Sequence, residues 1–153
     1  MSDWESFGPP ALKVGPLEVW VHGREFPEAD DAWDGNWLRV SARCSVHGAA
    51  VHASGSILDT VSFVRYANEL RDLHKTLAGE AGLHSLEPEL NVTLRGRGPN
   101  GILQLRIELS PGDPNQTHAF DVELDHSCIP RILEDCERVI AAYPVRRPAL
   151  RGL

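Results

Sequence analysis

Seven histidines, three cysteines and 22 carboxylates are the side chains of this 153-residue chain that could carry chemistry. A transition-metal site needs ligands at short, fixed spacings, such as a His-x-x-x-His pair on one helix face. His47 and His52 flank a turn, while His22, His74, His84, His118 and His126 stand alone, with no carboxylate at ligand spacing. Cys44, Cys128 and Cys136 are odd in number and never spaced Cys-x-x-Cys, which speaks against both a disulfide framework and a zinc ribbon. They read as free thiols, with Cys128, near the start of a final helix, the one that a helix N-terminus could activate. The glycines of Leu94 to Gly101 precede no helix and no Lys-Ser/Thr pair, so a hairpin turn explains them better than a phosphate loop. Asp59 and Asp125 are accounted for as helix caps. No catalytic residue, metal ligand or cofactor is expected.

One segment stands apart, Phe26-Pro27-Glu28-Ala29-Asp30-Asp31-Ala32-Trp33-Asp34-Gly35-Asn36-Trp37-Leu38. Residues 25 to 34 hold five carboxylates, Glu25, Glu28, Asp30, Asp31 and Asp34, and Trp33 and Trp37 are two of the four tryptophans. Acids beside amphipathic aromatics suit a surface that binds a basic protein, so Glu25, Glu28, Asp30, Asp31, Trp33, Asp34 and Trp37 form the candidate partner-binding set. The competing explanation is that Phe26, Trp33 and Trp37 close one end of the core while the acids are simply solvated. Charge favours a basic partner: 15 Lys and Arg against 22 Asp and Glu give −7. Arg146, Arg147 and Arg151 fall in the last eight residues, so residues 1 to 145 hold 12 against 22, or −10. Such a body repels phosphate backbones, which speaks against nucleic acid as a ligand.

The scaffold behind this segment reads as one domain. Hydrophobic residues at 42% and charged residues at 24% fit an ordinary globular chain. No apolar run reaches the roughly 18 residues of a membrane span, and Asp3 and Glu5 stand where a signal peptide wants positive charge, so a cytoplasmic protein is expected. Residues 1–16 carry Gly8, Pro9, Pro10, Gly15 and Pro16 and read as an irregular arm, 17–144 as a single α+β domain, and 145–153 as a basic tail. Period-two alternation marks strands at Leu17 to Val21, Leu38 to Val46 and Ala49 to Leu58, the last two joined at His47-Gly48. Asp59 or Thr60 then caps a helix with Phe63, Tyr66, Leu70, Leu73 and Leu77 on one face and Gly79 past its end. Three more strands follow at Leu90 to Leu94, Leu103 to Leu109 and Phe120 to Leu124, separated by Gly98-Pro99-Asn100-Gly101 and Pro111-Gly112-Asp113-Pro114. A last helix, Ser127 to Ala142, turns Ile129, Ile132, Leu133, Cys136, Val139 and Ile140 inward and stops before Pro144.

Two halves of the order βββα-βββα suggest a duplicated unit. A spacing of 66 lays Leu58-Asp59 over Leu124-Asp125 and Arg65 over Arg131, and a spacing of 65 lays Trp37-Leu38-Arg39-Val40 over Ile102-Leu103-Gln104-Leu105. The expected architecture is two-layer: one six-stranded, mainly antiparallel sheet with two helices on one face. Its other face would carry Arg39, Arg43, Arg95, Gln104, Arg106, Glu108, Asp121 and Glu123.

A first strand ending at Gly23, then Phe26-Pro27, an acidic spacer and Asp34-Gly35-Asn36-Trp37-Leu38-Arg39-Val40, resembles the N-terminal signature of the WapI-type immunity proteins. These are small bacterial proteins that neutralise the C-terminal domains of wall-associated toxins, several of which are nucleases. The resemblance implies a stoichiometric inhibitor without catalytic residues, bound to a toxin C-terminal domain. The residues leave open a small-ligand-binding or accessory enzyme domain working from the sheet face or from a pocket beside it, and a regulatory protein-binding module.

Overall fold

A computed structural model describes residues 3–87, 89–112 and 115–146. The chain forms a short 3-10 turn, Asp3–Phe7, then β1 (Leu12–Val14), β2 (Leu17–Arg24), β3 (Trp37–Val46), β4 (Ala49–Asp59) and α1 (Thr60–Thr76). The second half repeats this order with β5 (Ala78–His84), β6 (Leu90–Arg97), β7 (Ile102–Leu109), β8 (His118–Asp125) and α2 (Ile129–Ala142). Local chemistry sets most of these boundaries. The hairpin at His47-Gly48 has positive φ at both residues, 38° and 82°, the geometry that matches strand twist in a two-residue connection. The Asp59 carboxylate accepts the Ser62 amide at 2.8 Å and starts α1. Asp125 accepts the Ser127 amide at 3.0 Å and opens the 3-10 turn His126–Cys128 that leads into α2.

The sheet architecture differs from the expectation. There are eight strands in two separate four-stranded antiparallel sheets, β1-β2-β3-β4 and β5-β6-β7-β8, rather than six strands in one, so the order is ββββα-ββββα. β4 pairs only with β3 and β5 only with β6, because α1, 17 residues or about 25 Å long, carries the chain away from the first sheet's edge. Both unforeseen strands open their half. β1 has three residues and lies inside the stretch read as an irregular arm, and β5 begins Ala78-Gly79-Glu80-Ala81-Gly82, a composition with weak strand preference. Of the tail read at 145–153, only Val145 and Arg146 are among the described residues, and Asp113 and Pro114 of the β7–β8 turn also lie outside them.

The halves match more closely than the strand count suggests. β2 reads Leu-Glu-Val-Trp-Val-His-Gly-Arg and β6 Leu-Asn-Val-Thr-Leu-Arg-Gly-Arg, identical at Leu17/Leu90, Val19/Val92, Gly23/Gly96 and Arg24/Arg97. Gly96 is forced by space, since a Cβ there would lie 2.3 Å from the Leu77 carbonyl oxygen. The two helices keep the spacing of 66 throughout: Phe63 with Ile129, Tyr66 with Ile132, Leu70 with Cys136 and Leu73 with Val139 are all buried. Arg71 and Glu137, equivalent by the same spacing, join the helices to each other at 3.1 Å.

Each helix also seals an edge of the opposite sheet. The Lys13 amide of β1 donates to Asp135 of α2 at 3.2 Å, and the Gly82 amide of β5 donates to Glu69 of α1 at 3.0 Å. Asp135 itself is buried and also accepts from Arg138. Crossed in this way, the inner faces of both sheets and both helices share one core cluster. Leu70 on α1 and Leu105 on β7 are 0% and 1% exposed. Leu70→Ala and Leu105→Ala should each lower unfolding free energy by about 2 to 5 kcal/mol in urea titrations, from lost transfer energy and the cavity left behind.

Candidate functional site: a braced acidic loop

The acidic and aromatic segment is the connection between β2 and β3. The equivalent connection between β6 and β7 is the four-residue turn 98–101, whereas here residues 25–36 number twelve. The extra length is therefore no requirement of the fold.

Three polar side chains hold the loop in place. Asn36 is 1% exposed; its Nδ2 donates to the carbonyls of Ala32 (3.0 Å) and Arg146 (2.8 Å), and its Oδ1 accepts the Arg146 amide at 2.6 Å. Arg146 Nη1 donates to the Pro27 and Ala29 carbonyls, each at 2.7 Å. Arg24, the last residue of β2, donates to the Gly35 carbonyl at 2.6 Å and to the Pro144 carbonyl at 2.5 Å, with its guanidinium 5.9 Å from the Tyr143 ring centre. Burial, and after it the neighbouring Arg146 charge, lowers the Arg24 pKa from the usual arginine value. Gly35 leaves room for this closure, because a Cβ would stand 2.9 Å from the Ala29 carbonyl oxygen. The residues just after α2 thus clamp a loop more than 100 positions earlier in sequence.

Within the loop, Asp31 Oδ1 accepts the amides of Asp34 (2.6 Å) and Trp33 (2.9 Å), folding the tip into a tight turn. These bonds, Asp34's first, hold the Asp31 carboxyl below the ordinary carboxylate range. Glu28, Asp30, Asp31 and Asp34 are exposed, and Trp33 is 78% exposed, so this ring is not core. Glu25 and Trp37 sit half-buried at the base, Glu25 facing Arg39 at 3.9 Å and Trp37 beginning β3. The structure places six of the seven candidate residues on the loop and Trp37 at the first position of β3, and splits them into exposed tip and packed base. The braces Arg24, Asn36 and Arg146 were not foreseen. Asn36 enters the sequence reading only as part of the acidic segment, and nothing in sequence links it to a position 110 residues later.

The remaining chemistry lies elsewhere. Burial pushes the Cys44 thiol up to about 11 and, with help from Asp135 and Glu137, Cys136 up to about 12. Cys128 is also raised, because burial outweighs the turn's backbone amide. Among the described residues no three His, Cys, Asp or Glu side chains group as a metal site, and no helix is long and apolar enough to cross a membrane. On the outer face of the first sheet, the Asp3–Phe7 turn lies over Trp20, whose Nε1 donates to the Gly8 carbonyl at 2.9 Å. A cavity of about 320 Å³ remains there, lined by Trp4, Trp20, Arg43, His52 and Ser54 among others. Ser54, Ser41 and His22 run beside it in a chain of contacts at 2.9 and 2.8 Å. The charged row expected on one sheet face is divided between the two sheets: Arg39 and Arg43 on the first, Arg95, Gln104, Arg106, Glu108, Asp121 and Glu123 on the second.

Fold and loop together define an α+β domain with the order ββββα-ββββα, in which a twelve-residue connection between β2 and β3 is pinned to the scaffold. The chain belongs to the WapI-like immunity protein family, whose family model matches residues 13–144. No curated protein and no solved structure matches the chain.

Asn36→Ala strips the clamp of both amide functions. It should cost about 1 to 3 kcal/mol, the range for orphaned buried polar groups, and speed hydrogen exchange across residues 25–36 well before the core. The thiols give a pH test. With folded-state pKa values above the unfolded value of about 9, Cys44 and Cys136 favour the fold while protonated. That contribution is intact below pH 9 and is lost as pH rises toward 11 and 12. Native protein at pH 8 should accordingly resist thiol labelling at both positions until urea unfolds it.

Proposed function

We propose that this chain is a non-enzymatic, cytoplasmic immunity protein that binds a cognate bacterial toxin domain one to one and blocks it. Glu25, Glu28, Asp30, Asp31, Trp33, Asp34 and Trp37 are its recognition surface, and the partner face they meet is basic. The observation that carries this reading is the loop itself. In a chain of an immunity protein family, one half extends a four-residue turn to twelve residues, pins the result with buried polar bonds, and leaves Trp33 in solvent. A pinned loop pays its ordering entropy on folding rather than on binding, and an exposed tryptophan ringed by acids supplies an anchor with electrostatic steering. A nuclease domain, whose own surface must be basic to hold a phosphate backbone, is the toxin class this charge suits. The second reading, a small-ligand domain, finds its support in the cavity beside Trp4 and Trp20.

The test is binding to a basic toxin domain sought among the products of the neighbouring genes. Glu28→Gln, Asp30→Asn and Asp31→Asn together should slow association about tenfold at low salt and flatten its salt dependence, with the melting temperature unchanged. Trp33→Ala should speed dissociation by about tenfold or more, again without a change in melting temperature, since the ring contributes nothing to the core. Wild-type kinetics in both variants would remove the loop as the interface.

A further inference from the structure

We propose that the outer edge of β8 is a second docking surface, which takes an extended basic segment of a partner protein as a fifth strand of the second sheet. Four strands stand at sheet edges, and three of them are short, sealed by a helix carboxylate or bulged. β1 is three residues long, with its Lys13 amide taken by Asp135, and β5 has its Gly82 amide taken by Glu69. β4 carries a bulge toward its end, with Leu38 opposite Leu58 but Val40 opposite Gly55, which leaves Ala49 to Gly55 in unbroken register. Bulges, short strands and covering elements are the usual protections of an edge. β8 is neither short nor bulged, and the β1–β2 turn meets its inward Leu124, where a Cβ on Gly15 would stand 3.3 Å away. It runs eight residues in unbroken register with β7, from His118 opposite Leu109 to Asp125 opposite Ile102. It holds no proline, glycine or lysine, and among the described residues no strand lies on its other side.

Its two rows of side chains say what would fit. The inward row, Phe120, Val122 and Leu124, is only half-buried, whereas Leu103, Leu105 and Ile107 on the neighbouring strand are 0 to 1% exposed. A further strand about 4.8 Å away would cover that row. The outward row carries Asp121 and Glu123, exposed and, among the described residues, engaged from the β7 side by Arg106 at 2.8 Å and Gln104 at 3.2 Å. Lysine or arginine at alternate positions of an added strand would complete these cross-strand pairs. A second copy of the chain is disfavoured by the same row in the central register. Antiparallel pairing of β8 with itself about Val122 sets Asp121 against the copy's Glu123, two like charges face to face. The edge stands on its own geometry, and only the assignment of the incoming strand to a toxin rests on the function proposed above.

The full chain can be titrated with two end-capped synthetic peptides, one alternating Lys and Val, the other alternating Glu and Val, while amide hydrogen exchange is followed residue by residue. At ten times its dissociation constant, the Lys-Val peptide should slow exchange of alternate β8 amides about tenfold, and the Glu-Val peptide should not. Asp121→Lys with Glu123→Lys should invert the preference; a melting temperature shows whether that variant is folded, and the wild-type peptide comparison decides the matter without it. Equal effects of both peptides, no protection in β8, or protection confined to residues 25–37 would overturn the proposal. Toxin neutralisation without β8 protection in the toxin complex overturns the edge while leaving the immunity reading in place. Peptide protection of β8 in a chain that neutralises no toxin supports the edge and removes the toxin as its occupant.

Discussion

Neither four-stranded sheet can bury its apolar face alone, and the rest of the molecule follows from that constraint. A meander of four short strands exposes one face of leucine and valine, and the helix that follows it in sequence offers one apolar stripe. Here the pairing is crossed. α1 follows the first sheet but bonds the edge strand of the second through Glu69, and α2 follows the second but bonds the edge strand of the first through Asp135. Glu69 and Asp135 are 66 residues apart, the spacing that also relates the Asp59 and Asp125 caps. A half on its own would have a helix aimed at a missing edge, so the two halves fold as one core.

The shared core gives the acidic loop a fixed base. A twelve-residue connection between strands ordinarily samples many conformations, and closing it costs entropy that grows only slowly with length. Here Asn36 uses its amide as a piece of backbone, donating to and accepting from Arg146 as a neighbouring strand would. Its two bonds are shielded at a site 1% exposed, where an unmade hydrogen bond is expensive. The packed base and the solvated tip of the loop have separate origins: Asn36, Arg24 and Arg146 fix the first, and the Asp31 turn shapes the second.

What could be read from the sequence follows the range of each interaction. Both helices, the caps at Asp59 and Asp125 and six of the strands are encoded within a few residues by alternation, capping and turn chemistry; the helix ends differ by a residue or two, since Ser127 and Cys128 form a 3-10 turn ahead of α2 and Leu77 lies just past α1 in a left-handed conformation. β1 and β5 were missed because their strand character comes from a partner rather than from their own residues. Leu12-Lys13-Val14 is too short to show a period, and Ala78 to Gly82 is held by ladder bonds to β6 and by Glu69. The single six-stranded sheet failed for a related reason: alternation reports that a strand has a buried face, and says nothing of which strand lies beside it. The loop's composition marked the candidate residues, yet the clamp spans 110 positions between Asn36 and Arg146, and no local pattern carries it.

The internal repeat supplies a reference that a single chain normally lacks, because each half shows what the scaffold needs and the differences show what has been added. The strand Leu-x-Val-x-(Val/Leu)-x-Gly-Arg is common to both halves, so it belongs to the fold. Arg97, at its end in the second half, is exposed, while the equivalent Arg24 is drawn into bonds with Gly35 and Pro144. Outward positions diverge as well. Thr93 and Arg106 in the second sheet stand where the first has Trp20 and Ser41, and only the first sheet is overlaid by the Asp3–Phe7 turn, with Phe7 5.8 Å from the Trp20 ring. Because the cores are equivalent, stability does not demand these differences. The first half departs from that symmetry in the braced loop and the aromatic cover, and the second keeps a short turn and an open charged face.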